Sequence, residues 1–202
     1  MRPQRLRSVL VAVCATAAVS LTGAAPAAAA PAPAPLRATA VASGLAPLTD
    51  LFAERLLLAD KVAAAKYGTD KPIDDPAREQ QVLDDVAARA VGLGLDPDAV
   101  TAVFRDQIEA NKLVQRGLYA RWDAHPELRP TERPDLVQEV RPALDLITTR
   151  VLAALRETES LRASAACLPG LSVAAARSGY GHELDLLHLA GLGRALPSVC
   201  GG

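Results

Sequence analysis

Between residues 48 and 192 apolar residues return every three or four positions, the rhythm of one face of an α-helix, and few stretches of Val, Ile, Thr or Tyr alternate in the two-residue manner of a strand. A chain patterned this way buries its apolar stripes by packing helix on helix. Of its 202 residues 50% are hydrophobic, enough for a sizeable core, while 3% are aromatic, so that core is built mainly from aliphatic side chains. The expected fold class is all-α, a helical bundle in one domain over residues 47–202.

Local punctuation divides the pattern. A first helix over 48–67 is ended by Gly68 and the turn Thr69-Asp70-Lys71-Pro72, because Pro72 disfavours helical geometry at the residue before it. Asp74 or Asp75 caps a second helix that tolerates Pro76 in its first turn and stops at Gly92 and Gly94. Asp96-Pro97-Asp98 opens a long helix over 97–122, followed by a Pro-rich loop over 125–134. Residues 135–165 carry a further helical pattern, and the tail adds one or two short helices around Val173 and over 184–192.

The N-terminus has a different character. Arg2, Arg5 and Arg7 precede an apolar stretch over 9–21 and a small-residue run ending near Ala30, the make-up of a secretory signal peptide over 1–30. The apolar stretch is short for a membrane span. Residues 31–46 are rich in Pro and Ala and read as an extended linker. Export leaves no expected membrane attachment once the signal is cleaved, and a secreted or cell-envelope location follows. It also removes Cys14 and leaves Cys167 and Cys200, an even pair outside the cytosol that suggests a disulfide. A zinc site is the alternative, but His125, His182 and His188 are scattered and do not stand at ligand spacing, so no metal is expected. Lys and Arg number 22 against 23 Asp and Glu, which gives a nucleic-acid partner no support.

Several apolar stripes are broken on their core side. Arg55 and Lys66 fall on the face of the first helix that carries Phe52, Ala59 and Val62, since they lie eleven residues, about three turns, apart. Asn111 and Gln115 complete the stripe of Phe104, Ile108, Leu118 and Trp122. Arg78 shares a face with Val82 and Val86, and Arg141 precedes Leu144 and Thr148 on the next. Three arginines, a lysine and two amides aimed inward call for an anionic partner, because an unmatched buried cation is costly. A small dianion suits them, since a guanidinium grips a carboxylate through two hydrogen bonds. Internal carboxylates are the bland alternative: Glu54, Asp60, Asp75 and Glu79 lie near enough in sequence to pair with these cations.

The segments AERLLLADKVAAAKY, KPIDDPAREQQVL and LDPDAVTAVFRDQIEANKLVQ resemble the all-helical chorismate mutases. The export signal, the helices after Trp122 and the late Cys pair are similar to their secreted subclass, whose C-terminal helices would here be tied by the disulfide. The resemblance implies rearrangement of chorismate to prephenate, in the branch toward Phe and Tyr, with no metal or cofactor; dimers are common in the family, so a homodimer is compatible with it. Position by position, it implies that Arg55, Arg78 and Arg141 hold the substrate carboxylates, that Lys66 and Gln115 donate to the ether oxygen, that Glu79 takes the ring hydroxyl, and that Asp75 and Asn111 support them. Lys66, Gln115 and Arg78 would be the catalytic groups. Asn111 stands where the family commonly has a small hydroxyl residue, and Gln115 is similar to the intracellular members. The same residues are compatible with a non-catalytic secreted helical module that binds a small anionic ligand.

Overall fold

A computed structural model describes residues 34–201, and every regular element among them is helical. The expected signal peptide, Cys14 and the first three residues of the expected linker lie outside the described residues.

Helix α1 (Ala34–Lys66) is the spine of the bundle, 33 residues or about 50 Å long. It starts well before the expected residue 48. Residues 34–46, read from their Pro/Ala composition as extended linker, are helical, and Pro47 stands inside the helix. The physical reason is burial: Ala42, Leu45 and Leu48 are fully buried, and Val41 nearly so, on the side that meets α6 (Cys167–Gly181). That packing outweighs the backbone hydrogen bond lost at Pro47. Gly170 makes the close approach possible, since a Cβ there would stand 2.6 Å from Val41 Cγ1.

Helix α2 (Pro76–Leu93) begins where the Asp75 side chain accepts the Arg78 N–H at 3.0 Å, and ends at Gly94 in the left-handed conformation, φ 72°. Helix α3 (Pro97–Ala124) is capped by Asp96, which accepts the Asp98 N–H at 2.9 Å. The Pro-rich loop contains one 3₁₀ turn, Pro126–Leu128. A π-helical turn over Leu136–Val140, capped by Asp135, then leads into α4 (Arg141–Glu157). Pro142 has no N–H for an i→i−4 bond, and the wide turn before it accommodates that gap. The expected helix over 135–165 is interrupted again at Thr158, before the single turn α5 (Glu159–Arg162), where Thr158 Oγ1 bonds back to the Ala154 carbonyl at 2.6 Å.

Packing fixes where these helices stand. The chain's two phenylalanines, Phe52 on α1 and Phe104 on α3, are fully buried and centre the core with Leu152 and Leu155 of α4. Helix α7 (Leu186–Arg194) presses Gly191 against Leu56 and Val114, between α1 and α3. Cys167 and Cys200 form the expected disulfide, with Cα atoms 5.8 Å apart. Helix α2 lies along α3, and α4 closes against the C-terminal half of α1. Those four helices enclose a cleft.

Candidate active site

The cleft has a cavity volume of ≈ 160 Å³, and all eight residues singled out in the sequence line it. Helix α1 contributes Arg55 and Lys66, the first turn of α2 Asp75, Arg78 and Glu79, α3 Asn111 and Gln115, and the first residue of α4 Arg141. Their side chains converge because helical spacing keeps each set on one face and the core brings the four faces together.

Arg55 is buried, 7% exposed. Its Nη1 donates to Thr148 Oγ1 at 3.1 Å and to the Leu144 carbonyl at 3.4 Å, and its guanidinium stands 5.6 Å from the Phe104 ring centroid. Its Nε has no partner among the described residues. Burial pulls this guanidinium down to about 10, against the opposing field of Asp145. Lys66 donates to the Pro72 carbonyl at 2.8 Å. Burial lowers its ammonium below the usual lysine range, Asp75, Glu79 and Asp74 resist that shift, and the charge of Arg141 adds to it.

Gln115 is 3% exposed and donates one N–H to Asn111 Oδ1 at 2.7 Å, while its own Oε1 has no partner among the described residues. An amide nitrogen carries two donors, so the second is available to the cavity. Asp75 caps α2, and its backbone N–H donates to Glu79 Oε1 at 3.2 Å. Arg78 reaches Gln81 at 3.2 Å on the solvent side of the helix. Arg141 is exposed at the rim.

Of the four carboxylates that could have matched these cations, Asp75 caps α2 and the other three pair elsewhere. Glu54 pairs with Arg150 at 2.7 Å, Asp60 with His188 at 3.0 Å, and Glu79 with Lys112 at 3.1 Å. Arg55 and Lys66 make no ion pair among the described residues. Five cations and three carboxylates line the cavity, a surplus of two positive charges. The lining holds no Ser, Cys or His, so no hydroxyl or thiol nucleophile with an imidazole base is assembled there.

Sequence reasoning missed Lys112, Asp145 and the role of Thr148. Lys112 sits between Asn111 and Gln115, off the stripe, yet it is buried; its spacing three residues after Glu109 was the available signal. Thr148 stands on the face read for Arg141 and Leu144, and only the fold shows its hydroxyl accepting from Arg55.

These features define an all-helical protein that encloses a small polar site among arginines, a lysine and an amide. Residues 46–116 match the family described as chorismate mutase type II. The chain is 35% identical to a secreted chorismate mutase of Mycolicibacterium smegmatis over 79% of its own length and 87% of that protein's. It is 36% identical to a secreted chorismate mutase of Mycobacterium tuberculosis over 78% of its length and 79% of the relative's. The crystal structure of a chorismate mutase from Burkholderia phymatum superposes with a TM-score of 0.77 at 34% identity, covering 81% of this chain and 99% of that one. The chain belongs to the chorismate mutase family and is an isomerase of that type.

Proposed function

We propose that the cleft between α1, α2, α3 and α4 is the active site in which chorismate rearranges to prephenate, and that the residues lining it act in the following roles. The observation that carries the reading is the unmatched charge: a cavity with two surplus positive charges, one of them the buried and unpaired guanidinium of Arg55, suits a dicarboxylate. Arg55, Arg78 and Arg141 bind the two carboxylates. Arg55 is already held by Thr148 and Leu144, with Nε free to complete a fork.

The reaction is an intramolecular pericyclic shift, in which the ether C–O bond breaks as a C–C bond forms within the same molecule. No proton or electron is transferred. The protein has to hold the substrate in a compact chair-like shape and meet the negative charge that grows on the ether oxygen. Lys66 and the second N–H of Gln115 donate to that oxygen. Glu79 accepts the ring hydroxyl, Asp75 keeps the first turn of α2 in place through its cap, and Asn111 orients the Gln115 amide.

The test is loss of chorismate absorbance with the purified protein, compared with Lys66→Ala. Loss of one preorganised donor costs about 3 kcal/mol in the transition state, so kcat should fall by roughly two orders of magnitude while KM changes far less. A protein that binds a dicarboxylate but forms no prephenate, or a Lys66→Ala variant with most of its turnover, overturns the reading.

We infer also that residues 1–30 are an export signal removed near Ala30. The basic start, apolar stretch and small-residue run support it, as do the relatives named as secreted. Among the described residues no helix is long and apolar enough to cross a membrane. N-terminal sequencing of exported protein is the direct check.

A further inference from the structure

Lys112 lines the cleft without a part in the chemistry above. Its side chain is 10% exposed, and its Nζ lies in ion-pair contact with three carboxylates: Glu79 at 3.1 Å, Asp74 at 3.3 Å, and Glu109. Burial works against its charge, yet Glu109, Glu79 and Asp74 together hold the ammonium above the usual lysine range. Asp74 is shared with Arg116, at 2.6 Å. Across the cavity, Lys66 feels the fields of Asp75, Glu79 and Asp74 but is bonded to the Pro72 carbonyl, with no ion pair among the described residues. Two ammonium groups compete for one acidic turn at the start of α2, and Lys112 occupies it.

The geometry at Glu79 shows what that occupancy does. Lys112 contacts both carboxylate oxygens, Oε1 at 3.3 Å and Oε2 at 3.1 Å, and Oε1 also accepts the Asp75 N–H. A carboxylate offers roughly four acceptor positions, so about one remains, on Oε2. A free glutamate turns about its terminal torsion with little resistance; this one is clamped at both oxygens.

We propose that Lys112 is a positioning residue, which clamps Glu79 and keeps its carboxylate from swinging onto Lys66, so that Lys66 stays free for the breaking ether bond and Glu79 keeps one oxygen open to the ring hydroxyl. This rests on the roles given above to Lys66 and Glu79. Lys112 acts through charge and through Glu79, so its loss falls on turnover more than on substrate affinity. With the clamp gone, Glu79, whose field already reaches Lys66, is free to turn toward that ammonium and neutralise the donor.

The experiment is steady-state kinetics of chorismate loss for Lys112→Met, Lys112→Gln and Lys112→Arg, each also combined with Glu79→Gln, at a temperature where circular dichroism shows every variant folded. Lys112→Met and Lys112→Gln should lower kcat roughly tenfold with KM changed less than about threefold, and Lys112→Arg should recover kcat to within about threefold. In the Glu79→Gln background the neutral amide has no charge to turn on Lys66, so Lys112→Met should cost about twofold or less. Lys112→Gln keeps a polar group at the site and serves where Lys112→Met does not fold. The clamp is overturned if the neutral variants keep wild-type kcat, if their loss lies in KM alone, or if the full loss persists when Glu79 is already Gln. If Glu79→Gln by itself leaves kcat/KM unchanged, the role of Glu79 fails and the clamp with it. If Glu79→Gln impairs turnover and Lys112→Met simply adds to it, the role of Glu79 stands and only the clamp falls.

Discussion

At the scale of single residues, the cleft is organised by where a buried donor and a buried acceptor are left unsatisfied. Arg55 Nε and Gln115 Oε1 are buried without partners among the described residues, a cost a folded chain tolerates where a ligand completes the set. Neutral and charged donors divide the work there. Gln115 is an amide and has no proton to lose in the working range, so its donation does not fall away as the pH rises. Lys66 does titrate, and burial has lowered its ammonium from the usual value. The sign follows: raising the pH removes the charged donor, and it does so earlier than for a free lysine near about 10.4. We therefore expect kcat/KM to be level through neutrality and to fall on the alkaline side, with an inflection below that of free lysine. A pH series of chorismate turnover measures it. A profile that stays level beyond the range of free lysine contradicts the role of Lys66.

At the scale of helices, what the sequence disclosed depended on how local the cause was. The starts of α2 and α3 were legible because Asp75-Pro76 and Asp96-Pro97 place cap and first-turn proline side by side, and both caps bond as expected. The N-terminal half of α1 was not, since what makes residues 34–46 helical is α6, more than a hundred residues further on. The interruption at Thr158 leaves the apolar rhythm unbroken on either side, so the periodicity does not record it. The six polar breaks in the stripes were legible as exceptions to the apolar pattern, and Asp75 and Glu79 through the family resemblance alone, but the diversion of Glu54, Asp60 and Glu79 to Arg150, His188 and Lys112 was not. His188 shows how such a diversion ties helices together: Nε2 meets Asp60 of α1 at 3.0 Å and Nδ1 meets Asp185, the cap of α7, at 2.7 Å. Those carboxylates, Asp60 first, raise its imidazolium from 6.5 to about 9 despite burial. A folded pKa above the unfolded one contributes stability that is complete below about 6.5 and lost as pH rises through about 9. Discounted because both carboxylates are half exposed, that is about 2 kcal/mol, or roughly 4–8 °C in Tm. We expect wild-type Tm to decline over this interval relative to His188→Gln, and parallel curves would show that the ring is neutral in the fold.

At the scale of the whole molecule, α7 and the tail are fastened back onto the bundle at several independent points, and only one is covalent. Asp106 of α3 accepts from Arg194 at 2.6 Å and from the Ser198 N–H at 2.9 Å. Buried Arg162 donates to the Val199 carbonyl at 3.3 Å, and the Gly201 N–H returns to the Arg162 carbonyl at 3.2 Å. The disulfide closes a span of 33 residues over these contacts, which in the chain-entropy account is worth about 3 to 4 kcal/mol. Such a bond persists in an oxidising compartment, consistent with relatives named as secreted. The cleft, by contrast, is lined from α1 to α4 and receives no residue from α6, α7 or the tail. Stability and catalysis should therefore separate. Reduction, or Cys200→Ser, is expected to lower Tm by roughly 7–14 °C while leaving kcat at 25 °C within about twofold of the oxidised enzyme, because the polar fastenings hold α7 against α1 and α3. Thermal melts and turnover on the same reduced sample decide it. If turnover collapses well below the new Tm, the tail reaches the cleft through the packing of Gly191 on Leu56 and Val114, and the bundle behaves as one mechanical unit in place of a rigid site with a fastened tail.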